Sequence, residues 1–596
     1  MPELIPYQDA IIVSLVLLFI IVTLYKEWIG PGFTFVIGII ALGIFGVLTP
    51  TEILAGFANE QIAVIILLLL MGEFIRQSAV LDGLFERMFS KVRSARGYLA
   101  RMTLVVAGFS AFLNNTPLVA IMMPFTYNWG KKNNIPVSKL LIPLSYAAIL
   151  GGCATLIGTS TNLIVNGLVT DQFIIPELEP LEIFDFATVG IPMIVIGFLY
   201  MFFIGDRLLP TKKDVLEDIV TTPREYMVEV QIREGSEMIG KTVGEAGLRN
   251  LKGLFLVEII RGTFTIRAVG RSTRLFRDDI LIFAGDTETI AEMIQQKSGL
   301  QLTQVGMFVR KDKTEVLEIV VSHNSSLINK TVKETSFRGR FDAAIIALHR
   351  NGERVSGKIG SARLKPGDVL LILAGEDFKQ RALETQDFYL ISKVREFKKM
   401  EWYKPAIMLG GLLVAVLLSV FHLVPLFVSL VVLVSATLIM KVASPKDTVR
   451  SIDFNLLIII ALSLALGTAM IKSGLADILA SNTIKWLMPF GKVTILAGIY
   501  FITAVMAAYI TNKAAVAIIF PISLSVAIDL GVDPMPFILV VAFAAAANFM
   551  TPIGYQTNLM VYGPGGYSFK DFFRVGTPLT IIYMVVTVVI LSLLYF

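Results

Sequence analysis

The sequence predicts a mostly α membrane protein: two inverted repeats of five spans plus one re-entrant hairpin each, separated by a cytoplasmic α+β insert of two tandem modules. Three observations carry this expectation. Of 596 residues, 55% are hydrophobic, only 17% are charged, and mean hydropathy is +0.73, against about 25% charged residues in soluble chains. Apolar runs near the ~20 residues that cross a bilayer recur in two groups of five. The stretch between the groups alternates apolar and polar residues over short runs and holds no span. This composition excludes a disordered chain, a secreted disulfide scaffold and an ordinary cytosolic enzyme. The one cysteine, Cys153, forms no internal bridge.

In chain order, the first repeat (1–208) has spans near 9–27, 31–50, 61–80, 139–168 and 188–207. The second (401–596) has them near 404–422, 424–441, 454–473, 535–562 and 574–595. Between the third and fourth span of each repeat lies another apolar stretch, 99–128 and 493–526, interrupted by polar residues at its centre. Loop charge decides how these stretches run. If 99–128 enters and leaves on one side, the basic residues from Arg76 to Arg101 and Lys131, Lys132 and Lys139 share a face. The loops 51–60 and 170–187, which carry carboxylates and no Lys or Arg, then share the other. The positive-inside rule puts the basic face in the cytoplasm and the N-terminus outside. Five crossings are odd, so the second repeat starts from the opposite face and ends with an outside C-terminus. Glu3 and Asp9 ahead of the first apolar run argue against a signal peptide.

The insert repeats internally. Lys241-Thr242-Val243 matches Lys330-Thr331-Val332, and the strand ending Ala284-Gly285-Asp286 matches the one ending Ala374-Gly375-Glu376. Modules at 209–305 and 306–400 follow, with strands expected at 343–349 and 355–359 around Asn351-Gly352. Five crossings from an outside N-terminus place both in the cytoplasm.

The two hairpin tips align without gaps, Leu113-Asn114-Asn115-Thr116 over Ile510-Thr511-Asn512-Lys513, with Pro124 and Pro521 following. A second aligned pair sits mid-way along the fourth spans: 151–162, containing Gly158 and Thr159, and 547–558, containing Gly554 and Tyr555. Amides, hydroxyls and glycines at membrane depth are costly unless satisfied. A helix broken at the midplane exposes carbonyls that hold a cation and N–H groups that hold an anion. The competing reading of Asn114, Asn115 and Thr116 is plain helix capping. The matching copy in the other repeat favours a shared site, with which capping is compatible.

These tips, the Gly-Gly-x-x-Thr-x-Ile-Gly-Thr-x-x-Asn run of 151–162, Gly56-Phe57-Ala58-Asn59 and Lys472-Ser473-Gly474-Leu475-Ala476 resemble the signatures of the divalent anion/sodium symporter family. The insert resembles the C-terminal domains of potassium-uptake regulators, which bind small ligands. The resemblance implies an elevator-type homodimer in the inner membrane that couples sodium entry to uptake of sulfate or a dicarboxylate. It implies a first sodium site from Ser110, Asn114, Asn115 and Gly158, and a second from Ala507, Ile510, Asn512 and Gly554. Anion contacts would come from Asn115, Thr116, Thr159, Asn512, Lys513 and Tyr555. Two departures fall at the second site. Ala507 brings no hydroxyl, and Lys513 stands where a threonine is expected, so its ammonium is expected to replace a cation, contact the anion, or both.

Arg261, Arg267, Arg271, Arg274 and Arg277 offer a phosphate contact for a regulatory nucleotide, or simply a solvated face. Three scattered histidines (His323, His349, His422) and one cysteine form no metal constellation, and no Walker-type run appears. No enzyme chemistry, no cofactor beyond sodium as coupling ion, and no nucleic-acid partner are expected. A sodium/proton antiporter would want a midplane carboxylate, and a channel a repeated filter motif; neither is present in the broken segments.

Overall fold

The computed structural model describes residues 5–212, 227–285, 300–302, 315–391, 403–440 and 454–596, less 27, 78–79, 90–91, 173, 176–177, 249–253, 263, 267–268, 324, 351–352, 356–358, 375–376, 384 and 386. The first helical part runs α1 (Ile5–Lys26), α2 (Pro31–Ile44), α3 (Pro50–Ala55), α4 (Glu60–Gln77), α5 (Val80–Phe89), α6 (Ala95–Ser110), α7 (Asn115–Lys132), α8 (Leu141–Gly152), α9 (Ser160–Asp171) and α10 (Ala187–Tyr200). After the strands come α11 (Tyr403–Val420), α12 (Leu426–Ile439), α13 (Phe454–Lys472), α14 (Leu475–Leu487), α15 (Lys492–Tyr509), α16 (Asn512–Leu530), α17 (Met535–Ala546), α18 (Gln556–Tyr562) and α19 (Phe569–Tyr595). Among the described residues five helices are long and apolar enough to cross a membrane, or up to seven if each of two bent pairs counts as one span. Outer helices carry exposed Leu15, Phe33, Val195 and Leu593, as lipid-facing surfaces require.

Sequence reading did not anticipate α5 and α14 as separate helices. Each mixes charges with apolar residues, so neither reaches the hydropathy of a span. At Gly474, whose φ is +71°, the chain turns by 71° from α13 into α14; the left-handed backbone there favours glycine.

Helices α6 and α7 form a hairpin. Tyr98, near the start of α6, stacks on Trp129, near the end of α7, with ring centroids 3.8 Å apart, and its hydroxyl lies 3.0 Å from Thr126 Oγ1. The ends of the two helices remote from the break therefore lie together. The chain is unwound over 153–159 between α8 and α9 and over 547–555 between α17 and α18. The helices share one continuous apolar cluster that draws on both helical parts.

Among the described residues ten strands form two antiparallel sheets. They are β1 (Met227–Ile232), β2 (Leu254–Arg261), β3 (Phe264–Ile266), β4 (Ile280–Gly285), β5 (Leu300–Leu302), β6 (Glu315–Val321), β7 (Ala343–Arg350), β8 (Glu353–Arg354), β9 (Val369–Ala374) and β10 (Phe388–Leu390). The orders β3-β2-β4-β1-β5 and β10-β6-β9-β7-β8 are one topology read in opposite directions. Register shifts at Leu256/Glu258 and Ile345/Ala347 fall at corresponding places. The described return strand after β7 is Glu353–Arg354, and Val355 still donates its N–H to Leu348 O at 2.8 Å; residues 356–358 of the expected 355–359 strand lie outside the described residues, and Ile359 opens a short 3-10 turn.

Candidate functional site

The α6–α7 hairpin breaks at 111–114. Ser110 ends α6, Asn114 is the N-cap of α7 without a side-chain capping bond, and Asn115 is fully buried in the first turn. Asn115 Nδ2 donates to Tyr555 OH at 2.6 Å, and Thr159 Oγ1 lies 3.1 Å from the same hydroxyl. Thr116 Oγ1 donates to Gln556 Oε1 at 2.9 Å. The break between α6 and α7 and the break between α17 and α18 thus meet, although 440 residues separate the bonded pairs. Packing runs crosswise: α7 lies against α18, and α16 against α9.

Ser110 Oγ sits 2.5 Å from Asn115 Oδ1 and 2.8 Å from the Ala148 carbonyl. One hydroxyl proton serves one acceptor at a time, so this corner has more oxygen lone pairs than protons. Gly158 is drawn into it, since a Cβ there would stand 2.7 Å from Gly152 O and 2.9 Å from Ser110 O. A surplus of oxygens without a carboxylate is a setting in which a desolvated monovalent cation replaces missing donors. A Cβ at Gly152 would come within 2.5 Å of Asn115 Oδ1, so Gly152 makes room for the asparagine.

In the second half, Thr511 caps α16 by accepting from Ala514 N at 3.1 Å. Asn512 Oδ1 is buried with no hydrogen-bond partner, and Lys513 is half-buried beside it. Gly554 donates its N–H to Thr551 Oγ1 at 3.1 Å. Ala507 is buried at the end of α15, and Ile510 caps that helix.

Two mirrored braces hold the unwound segments open, and sequence reading did not single them out. Asn162 Nδ2 donates to Thr155 O at 2.9 Å and to Gly152 O at 3.4 Å. Asn558 Nδ2 donates to Thr551 O at 3.1 Å and Asn548 O at 3.0 Å, carbonyls the same seven and ten residues earlier. Thr155 and Thr551 in turn donate to Ala111 O and Ala508 O at the hairpin breaks. Gln556 was missed as well. The signal was present, because 151–162 and 547–558 align and both end in Asn.

The arginines have specific geometry. Arg261 Nε donates to Asp279 Oδ1 at 2.8 Å, its Nη2 bonds Arg274 O, and its guanidinium lies 4.1 Å over the Phe276 ring. Arg350 repeats the pattern on Asp368 and Arg363 O. Each carboxylate raises the already high pKa of its arginine. Arg261 is thereby committed to the fold of its sheet. Arg271 and Arg274 are exposed, as is Arg277, which pairs with Glu234; Arg267 lies outside the described residues. Arg350→Met is therefore expected to unfold the second sheet. It strands the Asp368 carboxylate, 1% exposed, and breaking a buried pair costs about 3–5 kcal/mol. Urea titration followed by protease cutting within 315–391 checks this. Among the described residues no three His, Cys, Asp or Glu side chains cluster to hold a metal.

Comparison with known proteins matches the chain over residues 16–485 and 413–596 to the family described as citrate transporters. A Chlamydomonas reinhardtii protein whose name refers to regulating the response to sulfur deprivation is 33% identical, covering 92% of this chain and 96% of its own length. An uncharacterized transporter of Synechocystis, sll0640, is 31% identical over 99% of this chain and 97% of its own. Chlamydomonas sodium/sulfate cotransporter 1 is 25% identical over 95% and 87%. All of these except the first are named as transporters.

Proposed function

The chain belongs to the citrate-transporter family, a family of multi-pass membrane transporters and not enzymes, and from that premise we propose that it is a sodium-coupled symporter of a small dianion, with sulfate favoured. The meeting of Asn115 with Tyr555, and of Thr116 with Gln556, carries this reading. Neutral donors from two breaks converge at membrane depth, where they can replace the hydration of an anion that has no proton of its own to donate. Sodium is the co-substrate. The oxygen-rich corner at Ser110, Asn115 and Gly158 suits one ion, with Asn114 beside it. Asn512 Oδ1 and Gly554 are the candidates for a second, with Lys513 available as a fixed cation in its place. The sodium/sulfate relative supports both the substrate and the coupling ion.

Side-chain pairs support the assigned sidedness and repeat layout. Lys472 bonds Glu52 at 2.9 Å, and His422 lies 3.7 Å from Glu182, all at positions assigned to the outer face. Lys212 lies 3.8 Å from Asp571, both on the inner face. In this reading the modules at 209–305 and 306–400 are cytoplasmic, with the termini outside an inner-membrane homodimer that works as an elevator. The modules, with Arg271 and Arg274 exposed, take a regulatory ligand such as a nucleotide.

Purified carrier in liposomes tests the proposal. Labelled sulfate should accumulate only with an inward sodium gradient, and unlabelled succinate and citrate report selectivity by competition. Flux without sodium dependence would instead mark a channel. Lys513→Gln is expected to raise the KM for the anion by about tenfold or more, since a half-buried ammonium is only partly screened. Unchanged kinetics would remove Lys513 from the site.

A further inference from the structure

The two sheets share a topology but not a setting. Along β6, Leu317, Ile319 and Val321 join the second module's own core, as one face of a strand must. The opposite face is buried too. Val320, Val369 and Ile391 belong to the apolar cluster of the membrane helices, and Tyr389 packs against it. On that same face Glu318, 2% exposed, accepts a hydrogen bond from Tyr127 of α7 at 3.0 Å. Beside it the chain passes α18 closely: a Cβ at Gly563 would stand 2.5 Å from Gly367 O and Val369 Cγ2, and one at Gly367 would stand 3.0 Å from Leu559 Cδ1. Among the described residues, none from the sheet of the first module belongs to the membrane cluster. Where the second module has Val320, the first has half-buried Gln231 at the matching position of β1.

The helices gripped in this way are the two that carry the site. Helix α7 bears Asn115 and Thr116 at its first turn and Tyr127 three turns later. Tyr555 and Gln556 open the segment that runs on through Leu559 to Gly563. At one end these helices are latched to each other by Asn115–Tyr555 and Thr116–Gln556; at the other they are bridged by the second module. An anion entering the site must compete with both latch bonds, and every movement that parts α7 from α18 strains the bridge.

We infer that the second module is a clamp on α7 and α18 that holds the latched, low-activity arrangement, so that release of its Glu318–Val320–Val369 face is what speeds transport. The inference rests on the proposed anion site and deepens its regulation: by reciprocity, whatever frees the module tightens anion binding, and anion binding loosens the module.

The test uses the full chain with Tyr127→Phe and Val320→Gln, singly and together. Glutamine is chosen because the sheet of the first module already accepts it at the matching position. Tyr127→Phe removes one oxygen and no apolar area, and so remains readable if the double variant does not fold. Amide exchange at 315–321 and at 556–562 should rise together, and initial uptake at sub-saturating anion should increase about fivefold or more, the lower range of measured couplings. Faster exchange in β6 with none in α18, or coupled exchange with uptake unchanged or reduced, overturns the clamp. Should wild-type protein take up no anion under a sodium gradient, the symport reading fails, whereas the exchange measurement still decides the coupling.

Discussion

Asn115→Asp will abolish anion uptake in a carrier that still folds. The side chain keeps its shape, so the space that Gly152 leaves for it stays filled. Donation from Nδ2 to Tyr555 is lost, and a carboxylate meets the incoming dianion. Like charges 4 Å apart at an effective dielectric of about 20 repel by about 4 kcal/mol per unit pair, close to a thousandfold in affinity. Asn115→Ala removes hydrogen bonds alone, about 1–3 kcal/mol, so it should fall between wild type and the aspartate. The aspartate also adds a charge facing Ser110, 2.5 Å away in the native site, and should strengthen sodium binding as it weakens the anion. Its protonated form is neutral, so part of the lost uptake returns as pH falls toward the carboxylate range. Concentration series for anion and for sodium at two pH values give all three readings. A near-normal KM for the anion would move Asn115 out of the binding site.

What was legible in the sequence follows from where polarity is expensive. An Asn-Asn-Thr at the centre of an apolar stretch stands out because the lipid around it cannot hydrate it, and the structure brings Asn115, Thr116, Thr159 and Tyr555 together. Gln556 and the braces at Asn162 and Asn558 lie in the same conspicuous runs. Their roles depend on which carbonyls are orphaned once the helix unwinds, and spacing alone does not say that. Helices α5 and α14 hid behind charges such as Glu86 and Asp477 that dilute their hydropathy. The insert shows the opposite limit. Its repeat could be read from Lys-Thr-Val and Ala-Gly signatures, whereas the contrast between Val320 and Gln231 gains meaning only when a membrane helix lies against one of them. Arg261 reads as a phosphate ligand until Asp279 is seen beneath it.

Asn558→Leu should strongly destabilise the carrier, and Asn162→Leu should do so less severely. Leucine has the same branching and is somewhat larger, but it donates nothing. At 558 the change strands two buried carbonyls, Asn548 O and Thr551 O, and also removes the Oδ1 that lies 2.7 Å from Ser145 Oγ. Each abandoned buried group costs about 1–3 kcal/mol, so the two carbonyls alone cost about 2–6 kcal/mol. At 162 one of the two contacts is already long, 3.4 Å to Gly152 O, and Oδ1 has no partner to lose. The smaller penalty there leaves a folded protein of intermediate stability, with the Thr155 carbonyl stranded. The order of melting temperatures, wild type above Asn162→Leu above Asn558→Leu, is therefore the expected outcome of thermal unfolding in detergent. The reverse order, or two variants as stable as the native chain, would mean that the unwound carbonyls are satisfied by something other than these amides, and the breaks would need a different physical account.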